Sequence, residues 1–368
     1  MRKTFKFRLY PTKPQIRNLQ SSLDACRWVY NETLALRSNT YKNTKISLSL
    51  YDTSNYIVQW KKENPNLINA FSQCLQNAQL RVDLAFKAFF RRVKAGDNPG
   101  YPRFKSFDRY DSFTFPQDGF KLIDNKLRIS KVGFVKIKLH RPIVGTVKTC
   151  TVHRRNNKWY ACFSVEYTPK PLRKNNKAVG IDVGIETFAF FSTKEKVANP
   201  RFFETDQNAL AKAQRKLSKQ TKNSSEWIKA KKVVNRIYER ISNRRHNFIH
   251  QESRKIVNKF GTICIENLNI QPMLGNHYLA KSISGVAWNQ FAQQLFFKAE
   301  EAGRKIVAVN PAYTSQRCSQ CGTIVKKSLS TRWHKCPICN IRLHRDYNAS
   351  LNILRIGLDS LGSTRKSL

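Results

Sequence analysis

Four cysteines fall into two pairs, Cys318-x-x-Cys321 and Cys336-x-x-Cys339, with 14 residues between the pairs. A Cys-x-x-Cys turn brings two thiolates to one point, and two such turns can close a tetrahedron around Zn²⁺. Gly322 and Pro337 supply turn chemistry beside these ligands. The spacing predicts a structural zinc knuckle rather than two disulfides or a redox pair. No apolar run reaches the ~18 residues of a membrane span. The N-terminus, MRKTFKFRLYPTKP, alternates polar and apolar residues and does not read as a signal peptide. A reducing, cytoplasmic setting is therefore expected. A knuckle of about 25 residues cannot bury a core of its own, so the metal must hold it. His334 and His344 are spare ligands, but four thiolates already fill the shell. Cys26, Cys74, Cys150, Cys162 and Cys264 lie in apolar contexts and read as buried small hydrophobes.

Three acids stand apart from the rest. Asp182 lies in Val179-Gly180-Ile181-Asp182-Val183-Gly184, Glu266 ends Ile263-Cys264-Ile265, and Asp346 lies in His344-Arg345-Asp346-Tyr347-Asn348. The first two end apolar strands and the third opens a helix. Carboxylates in apolar surroundings are costly unless paired or metal-bound. Hard cations such as Mg²⁺ or Mn²⁺ take oxygen ligands from a few carboxylates plus phosphate. Two such ions about 4 Å apart can stabilise the attacking and leaving oxygens of a phosphodiester. Spacing alone leaves other readings open: Asp346 could be a helix N-cap and Glu266 could cap the turn after its strand. Asp24, Asp83, Asp206 and Glu300 read as solvated helix acids.

Sixty-seven Lys and Arg against 24 Asp and Glu leave a net charge of +43. Such self-repulsion calls for a polyanion, and nucleic acid fits better than a membrane because no amphipathic anchor or lipidation signal is evident. Between Lys212 and Lys259 there are 15 basic residues and three acids, Glu226, Glu239 and Glu252. A solvated face would interleave its charges. This one is expected to grip a phosphate backbone through Arg215, Lys219, Arg236, Arg240, Arg244 and Arg245, without reading sequence. Aromatics beside basic residues (Trp28, Tyr101, Phe104, Trp159 and Tyr160) suit either base stacking or a core.

The elements that position these groups follow from periodicity. Phe5, Phe7 and Leu9 alternate with Lys6 and Arg8 as in a strand. Thr12 to Gln15 form a capping box with proline in the first turn. Ile16, Leu19, Leu23 and Cys26 follow at helical spacing, a second helix is expected over about 52–63, and Phe71, Leu75, Ala78, Val82, Ala85 and Phe89 mark a third, which makes a small helical bundle over roughly 14–95. Hairpins are expected at 120–129, turning at Asp124-Asn125, and at 146–167, turning at 155–158. This order describes a β-barrel-like module of 1–10 and 100–168 carrying a helical insert, 11–99. Residues 169–176 read as a linker. Mixed α and β elements follow: strands at 178–183, 187–192, 262–265 and 305–309, a basic helical stretch over 206–259, a helix over 286–302, and a last helix from Asp346.

These residues resemble the TnpB (OrfB) family, transposon-encoded relatives of type V CRISPR effectors. The resemblance rests on Gly180-Ile181-Asp182-Val183-Gly184-Ile185, Ile265-Glu266-Asn267-Leu268, Leu279-Ala280-Lys281-Ser282-Ile283, Trp288, the stretch Tyr313 to Gly322, and Arg345 to Leu354. In the N-terminal half it rests on Leu75 to Ala78, Ala85 to Arg92, and Tyr101-Pro102-Arg103-Phe104. It implies an α+β multidomain fold. Residues 1–10 and 100–168 would form a wedge β-barrel and 11–99 a helical recognition lobe. Residues 177–317 and 341–368 would form a RuvC-like nuclease of RNase H fold, with 318–340 as a zinc-binding insert that contacts target nucleic acid. Asp182, Glu266 and Asp346 match the family's catalytic Mg²⁺ or Mn²⁺ ligands. The implied partners are a structured guide RNA, one protein per RNA, and double-stranded DNA with a short flanking motif. Gln73, Gln76 and Asn77 are candidates for reading that motif, since these amides suit adenine edges. The chain would be cytoplasmic and nucleoid-associated when on DNA. The alternatives are an RNA-guided repressor that binds without cutting, and a strand-transfer transposase.

Overall fold

Alternating Phe5, Phe7 and Leu9 bury one side of the first strand, β1 (Arg2–Tyr10). The computed structural model describes residues 1–273, 275, 277–328 and 331–363, so the last five residues of the expected nuclease segment lie outside the described residues. The chain divides into two compact units, Met1–Thr168 and Pro169–Leu368.

In the first unit, β1 leads into four helices: α1 (Lys13–Thr44), α2 (Leu50–Ser54), α3 (Tyr56–Glu63) and α4 (Ser72–Lys94). The Thr12/Gln15 capping box forms as expected. The single helix expected over 52–63 is instead two. Gln79 Nε2 of α4 donates to the Thr53 carbonyl at 2.7 Å, occupying an acceptor that a continuous helix would use. Asp83 also differs from expectation: it is buried and salt-bridged to Arg37 at 3.1 Å and Lys87 at 2.9 Å.

Six strands follow: β2 (Ser112–Phe115), β3 (Phe120–Ile123), β4 (Lys126–Ile129), β5 (Gly133–Lys138), β6 (Thr146–Arg155) and β7 (Lys158–Glu166). They join β1 in one antiparallel sheet, ordered β2-β6-β7-β1-β5-β4-β3. The β6–β7 turn places Asn156 and Asn157 at φ 50° and 60°, the two-residue geometry asparagine tolerates best after glycine. Phe115 and Phe120, on opposite edge strands, have ring centroids 6.2 Å apart, and Phe120 is 6.2 Å from Phe163 of β7. The sheet is therefore strongly curled around an aromatic core.

In the second unit, residues 169–176 lack regular structure but pack down: the Leu172 N–H donates to Ala302 O, and Asn175 Nδ2 donates to Lys259 O. Then come β8 (Ala178–Val183), β9 (Thr187–Phe191), β10 (Lys196–Ala198), α5 (Phe202–Thr205), α6 (Gln207–Ser218) and α7 (Ser225–Lys259). They are followed by β11 (Thr262–Glu266), α8 (Ile270–Met273), α9 (His277–Val286), α10 (Trp288–Glu301) and β12 (Lys305–Val309). The chain ends with β13 (Trp333–Lys335), β14 (Arg342–His344) and α11 (Arg345–Ser363). The expected basic stretch over 206–259 is broken at 219–224, between α6 and α7. The sheet runs β10-β9-β8-β11-β12, with β8, β11 and β12 parallel and β9 antiparallel to β8.

Side chains alternate across this sheet. Val179, Ile181, Ile263 and Ile265 face a core shared with α7 and α10, where Phe188 lies 4.9 Å from both Phe248 and Phe291. Cys264 and Val309 face the other way, against Ile353 of α11. Two glycines let α11 lie close. A Cβ on Gly180 would come within 2.1 Å of Ser350 O and 2.6 Å of Leu354 N, and one on Gly357 within 2.3 Å of Cys264 Sγ. Gly180→Ala is thus expected to push α11 off the sheet and destabilise the unit by about 1–3 kcal/mol, the usual cost of overpacking. A denaturant melt of this variant matching wild type would contradict that packing.

Candidate functional site

Ile181 pairs with Ile265 at the end of the parallel β8–β11 ladder, and Asp182 and Glu266 follow directly on the two strands, close enough for the Glu266 charge to act on Asp182. Neighbouring strands lie about 4.8 Å apart, so the two carboxylates leave adjacent backbones on the same face. That face is the α11 side, because Gly180 and Cys264, two residues earlier on each strand, touch α11. Asp182 also pairs with Phe190 of β9, whose ring stacks on His344 at 5.4 Å and tilts against Tyr347 at 5.9 Å. The first turn of α11, which carries Asp346, therefore sits at the level of Asp182. Sheet register and glycine-permitted helix docking together bring acids 84 and 80 residues apart to one place.

The electrostatics agree. Burial, then the charges of Glu266 and Asp346, pushes the Asp182 carboxyl well above the usual carboxylate range, and Arg345 opposes the shift. Burial likewise raises Glu266, opposed by a hydrogen bond from the Thr314 hydroxyl. Arg345 Nε lies 3.2 Å from Asp346 Oδ1, and His344 Nδ1 lies 3.9 Å from Oδ2. Such a group repels itself unless a proton or a cation joins it.

A stability consequence follows. The raised folded-state value means the folded chain holds more protons, so stability falls as pH rises from the unfolded value near 3.9 through the folded one. Asp182→Asn removes that loss. Its Tm should exceed wild type's at high pH, by ~2–4 °C per kcal/mol relieved, and the gap should close as pH falls toward 4. A gap that stays constant from pH 4 to 8 would contradict the crowding of these acids.

The four cysteines also converge. Cys318 Sγ lies 3.6 Å from Cys339 Sγ, Cys321 Sγ lies 3.4 Å from Cys336 Sγ, and all four sulfurs fall within 4.8 Å of one another. A Zn–S tetrahedron has edges of roughly 3.8 Å, whereas a disulfide needs about 2.05 Å, so the cluster could hold a zinc ion. The two turns are built alike. Gly322 follows Cys321 at φ 82° and Asn340 follows Cys339 at φ 56°, the two residue types that enter the left-handed region most readily. Hydrogen bonding with Thr323 pulls the Cys321 thiol down to about 6, whereas Cys339, despite a hydrogen bond with the Ile341 backbone, is pushed up to about 12 by burial and the neighbouring sulfurs. Neither spare histidine joins the cluster: His334 is buried against Lys327, and His344 lies beside Asp346. The hairpin of β13 and β14 runs past the 340/341 boundary expected for the insert.

Sequence reading missed the ties between knuckle and acids. Asn348 Oδ1 accepts from the Ser319 N–H at 2.9 Å, and its Nδ2 donates to Arg317 O at 2.8 Å. Asn352 Nδ2 donates to Thr314 O and Arg317 O. Both asparagines are fully buried. Buried amides on an apolar helix face must find partners, and Asn348-x-x-x-Asn352 was the available signal.

The basic candidates divide. Arg215, Lys219 and Arg236 are exposed. Arg240 and Arg244 are also exposed but pair with Asp206, which is 6% exposed and so not the solvated acid expected. Arg245 turns inward: its buried Nε has no hydrogen-bond partner among the described residues, and burial lowers its pKa. Of the α4 amides, Gln76 is exposed, Gln73 Oε1 accepts from the Asp118 N–H at 3.3 Å, and Asn77 Oδ1 accepts from Arg81 Nε at 3.2 Å. Trp159 is core, whereas Tyr101 and Phe104 are exposed. Among the described residues no helix is long and apolar enough to cross a membrane.

Fold and site together define a two-unit α+β protein with a carboxylate cluster tied to a cysteine knuckle. The second unit and its flanks match the family description "OrfB_IS605: Probable transposase" over residues 162–277 and "Cas12f1-like, TNB domain" over 288–353. Residues 1–45 match a "Helix-turn-helix domain", although here they form β1 and the single helix α1. A "Putative RNA-guided DNA endonuclease" of Streptomyces pristinaespiralis is 33% identical over 367 residues, covering 97% of this chain and 90% of that one. The "Putative RNA-guided DNA endonuclease InsQ" of Escherichia coli (strain K12) is 31% identical, covering 96% and 92%. The "CRISPR-associated endodeoxyribonuclease Cas12f1" of Sulfoacidibacillus thermotolerans is 28% identical over 226 residues, 56% of this chain and 52% of that one. The chain belongs to the TnpB (OrfB) family.

Proposed function

We propose that this protein is an RNA-guided DNA endonuclease. It binds a structured RNA derived from a transposon end, recognises a short motif flanking the target, and cuts the complementary double-stranded DNA by metal-dependent hydrolysis. The observation that supports this reading is that Asp182 and Glu266 follow the last β8–β11 pair on adjacent strands and that the charges of Glu266 and Asp346 both act on Asp182. Asp182, Glu266 and Asp346 would hold Mg²⁺ or Mn²⁺. These ions supply stabilisation of the attacking and leaving oxygens during phosphodiester cleavage.

The chain's own residues prepare that site. The Thr314 hydroxyl donates to Glu266 Oε1, and Arg345 donates to Asp346 Oδ1, so each carboxylate has one oxygen already oriented. The second unit is read as a RuvC-like nuclease with the knuckle as its target-strand insert. The first unit is read as a wedge barrel with a helical recognition lobe. Its Gln76 is the best placed of the three candidate motif readers, being exposed. Base pairing with the guide would supply sequence specificity, and basic side chains such as Arg215, Lys219 and Arg236 would hold phosphates.

The test is a purification without added RNA. A discrete RNA should copurify in about equal molar amount with the protein, and the complex should cut DNA matching that RNA only when Mg²⁺ or Mn²⁺ is present. Cutting that persists in excess chelator, or a protein free of RNA that still joins transposon ends, would overturn the reading.

A further inference from the structure

On the sheet face opposite α11, at the carboxyl end of the same strands, lies a hollow of about 180 Å³. Val183, Ile265 and Ala308 form its floor, and Glu266 also lines it. Leu268, Phe291 and Phe296 give it apolar walls. Trp288 lines it too, only 6% exposed, and its buried indole N–H has no hydrogen-bond partner among the described residues. An orphaned buried donor costs about 1–3 kcal/mol, so it calls for an acceptor that arrives from outside. Asn289 and Gln293 stand exposed at the rim, each offering an amide donor and acceptor.

Apolar and aromatic walls, an unpartnered indole N–H on a lining residue and amides at the mouth match a single planar heteroaromatic ring bearing acceptor atoms. The volume is below the ~300–1,000 Å³ of pockets for drug-sized ligands, which points to one small group. A nucleobase has this chemistry, and enzymes acting on nucleic acid often seat an unstacked base between apolar side chains. We propose that this hollow seats one base of the DNA strand being cut, next to the scissile phosphate. The phosphate lies at the acids on one face of the sheet, and the base turns over the strand ends into the hollow. The inference rests on the nuclease reading of Asp182, Glu266 and Asp346.

The test uses the full chain with its copurified RNA and a series of matched DNA targets. In each target one nucleotide near the cut is replaced by an abasic site. At one position adjoining the cut, wild type is expected to cleave the abasic target at least tenfold more slowly, because base stacking and the Trp288 hydrogen bond are lost. Ala292→Leu narrows the hollow from α10. It should slow cleavage of intact DNA while leaving the abasic target cut as in wild type, so the tenfold gap shrinks to about twofold. Trp288→Phe keeps the ring but deletes the N–H and should shrink the gap partway. Equal cleavage of intact and abasic targets at every position by wild type would overturn the base seat while leaving the nuclease reading intact. So would a full gap in both variants. Failure of wild type to cut any target with Mg²⁺ would overturn both.

Discussion

Asp182→Ala protein, purified with its RNA, is expected to bind matched DNA as tightly as wild type and to cut it about 1,000-fold more slowly or worse. A metal site that stabilises developing charge contributes several kcal/mol, and about 4 kcal/mol corresponds to three powers of ten in rate. Asp182 sits in the centre of the cluster, since its carboxyl feels both Glu266 and Asp346. Removing it leaves the remaining pair one ligand short on the strand that both flank. Glu266→Gln and Asp346→Asn should behave alike, while Glu300→Ala, on an exposed position of α10, should not. Filter binding and gel cleavage on the same preparations separate the two steps. Such a variant would behave as an RNA-guided repressor, which is the behaviour wild type should not show. Asp182→Ala cutting within tenfold of wild type would place the chemistry elsewhere.

The second large effect is expected at the knuckle. Structural zinc contributes about 10–16 kcal/mol in small domains that cannot fold without it. Among the described residues of the knuckle, Cys318, Cys336 and His334 are the fully or nearly fully buried side chains, too few for a core. Wild type should carry one zinc per chain. Cys336→Ser should carry none and should lose cleavage by on the order of 100-fold even when Mg²⁺ is abundant. The loss travels along a defined route: Asn348 and Asn352 hold residues 314–319 against α11, and Thr314 in turn holds Glu266. Unfolding the knuckle frees these contacts at the strand that carries Glu266. Zinc content by colorimetric release, read beside cleavage, checks both halves. Zinc-free wild type with full activity would contradict it.

Much of this architecture could be read from residue order. The strands bearing Asp182 and Glu266 were visible because apolar runs ended in an acid, and a strand has few structural uses for one. The hairpins showed at Asp124-Asn125 and Asn156-Asn157, where local chemistry demands a turn. The four-cysteine cluster showed because Cys-x-x-Cys is itself a local signal. What stayed hidden were pairings between distant residues. Asp206 looked like a solvated helix acid because its partners, Arg240 and Arg244, lie more than 30 residues away. The same distance hid that those arginines share Asp206 as a partner. Asp83 was misread for the same reason, its partner Arg37 lying 46 residues back on α1. The Thr314–Glu266 and Asn348–Arg317 ties depend on how α11 crosses the sheet, which Gly180 and Gly357 permit but no periodicity announces.

The most direct measurement is anomalous diffraction from crystals of the protein grown with Mn²⁺ and a DNA strand bearing a non-cleavable phosphate. Two Mn²⁺ peaks roughly 4 Å apart should appear among the carboxylates of Asp182, Glu266 and Asp346, absent from Asp182→Asn crystals. Anomalous peaks elsewhere on the chain with none at these three side chains would contradict the account.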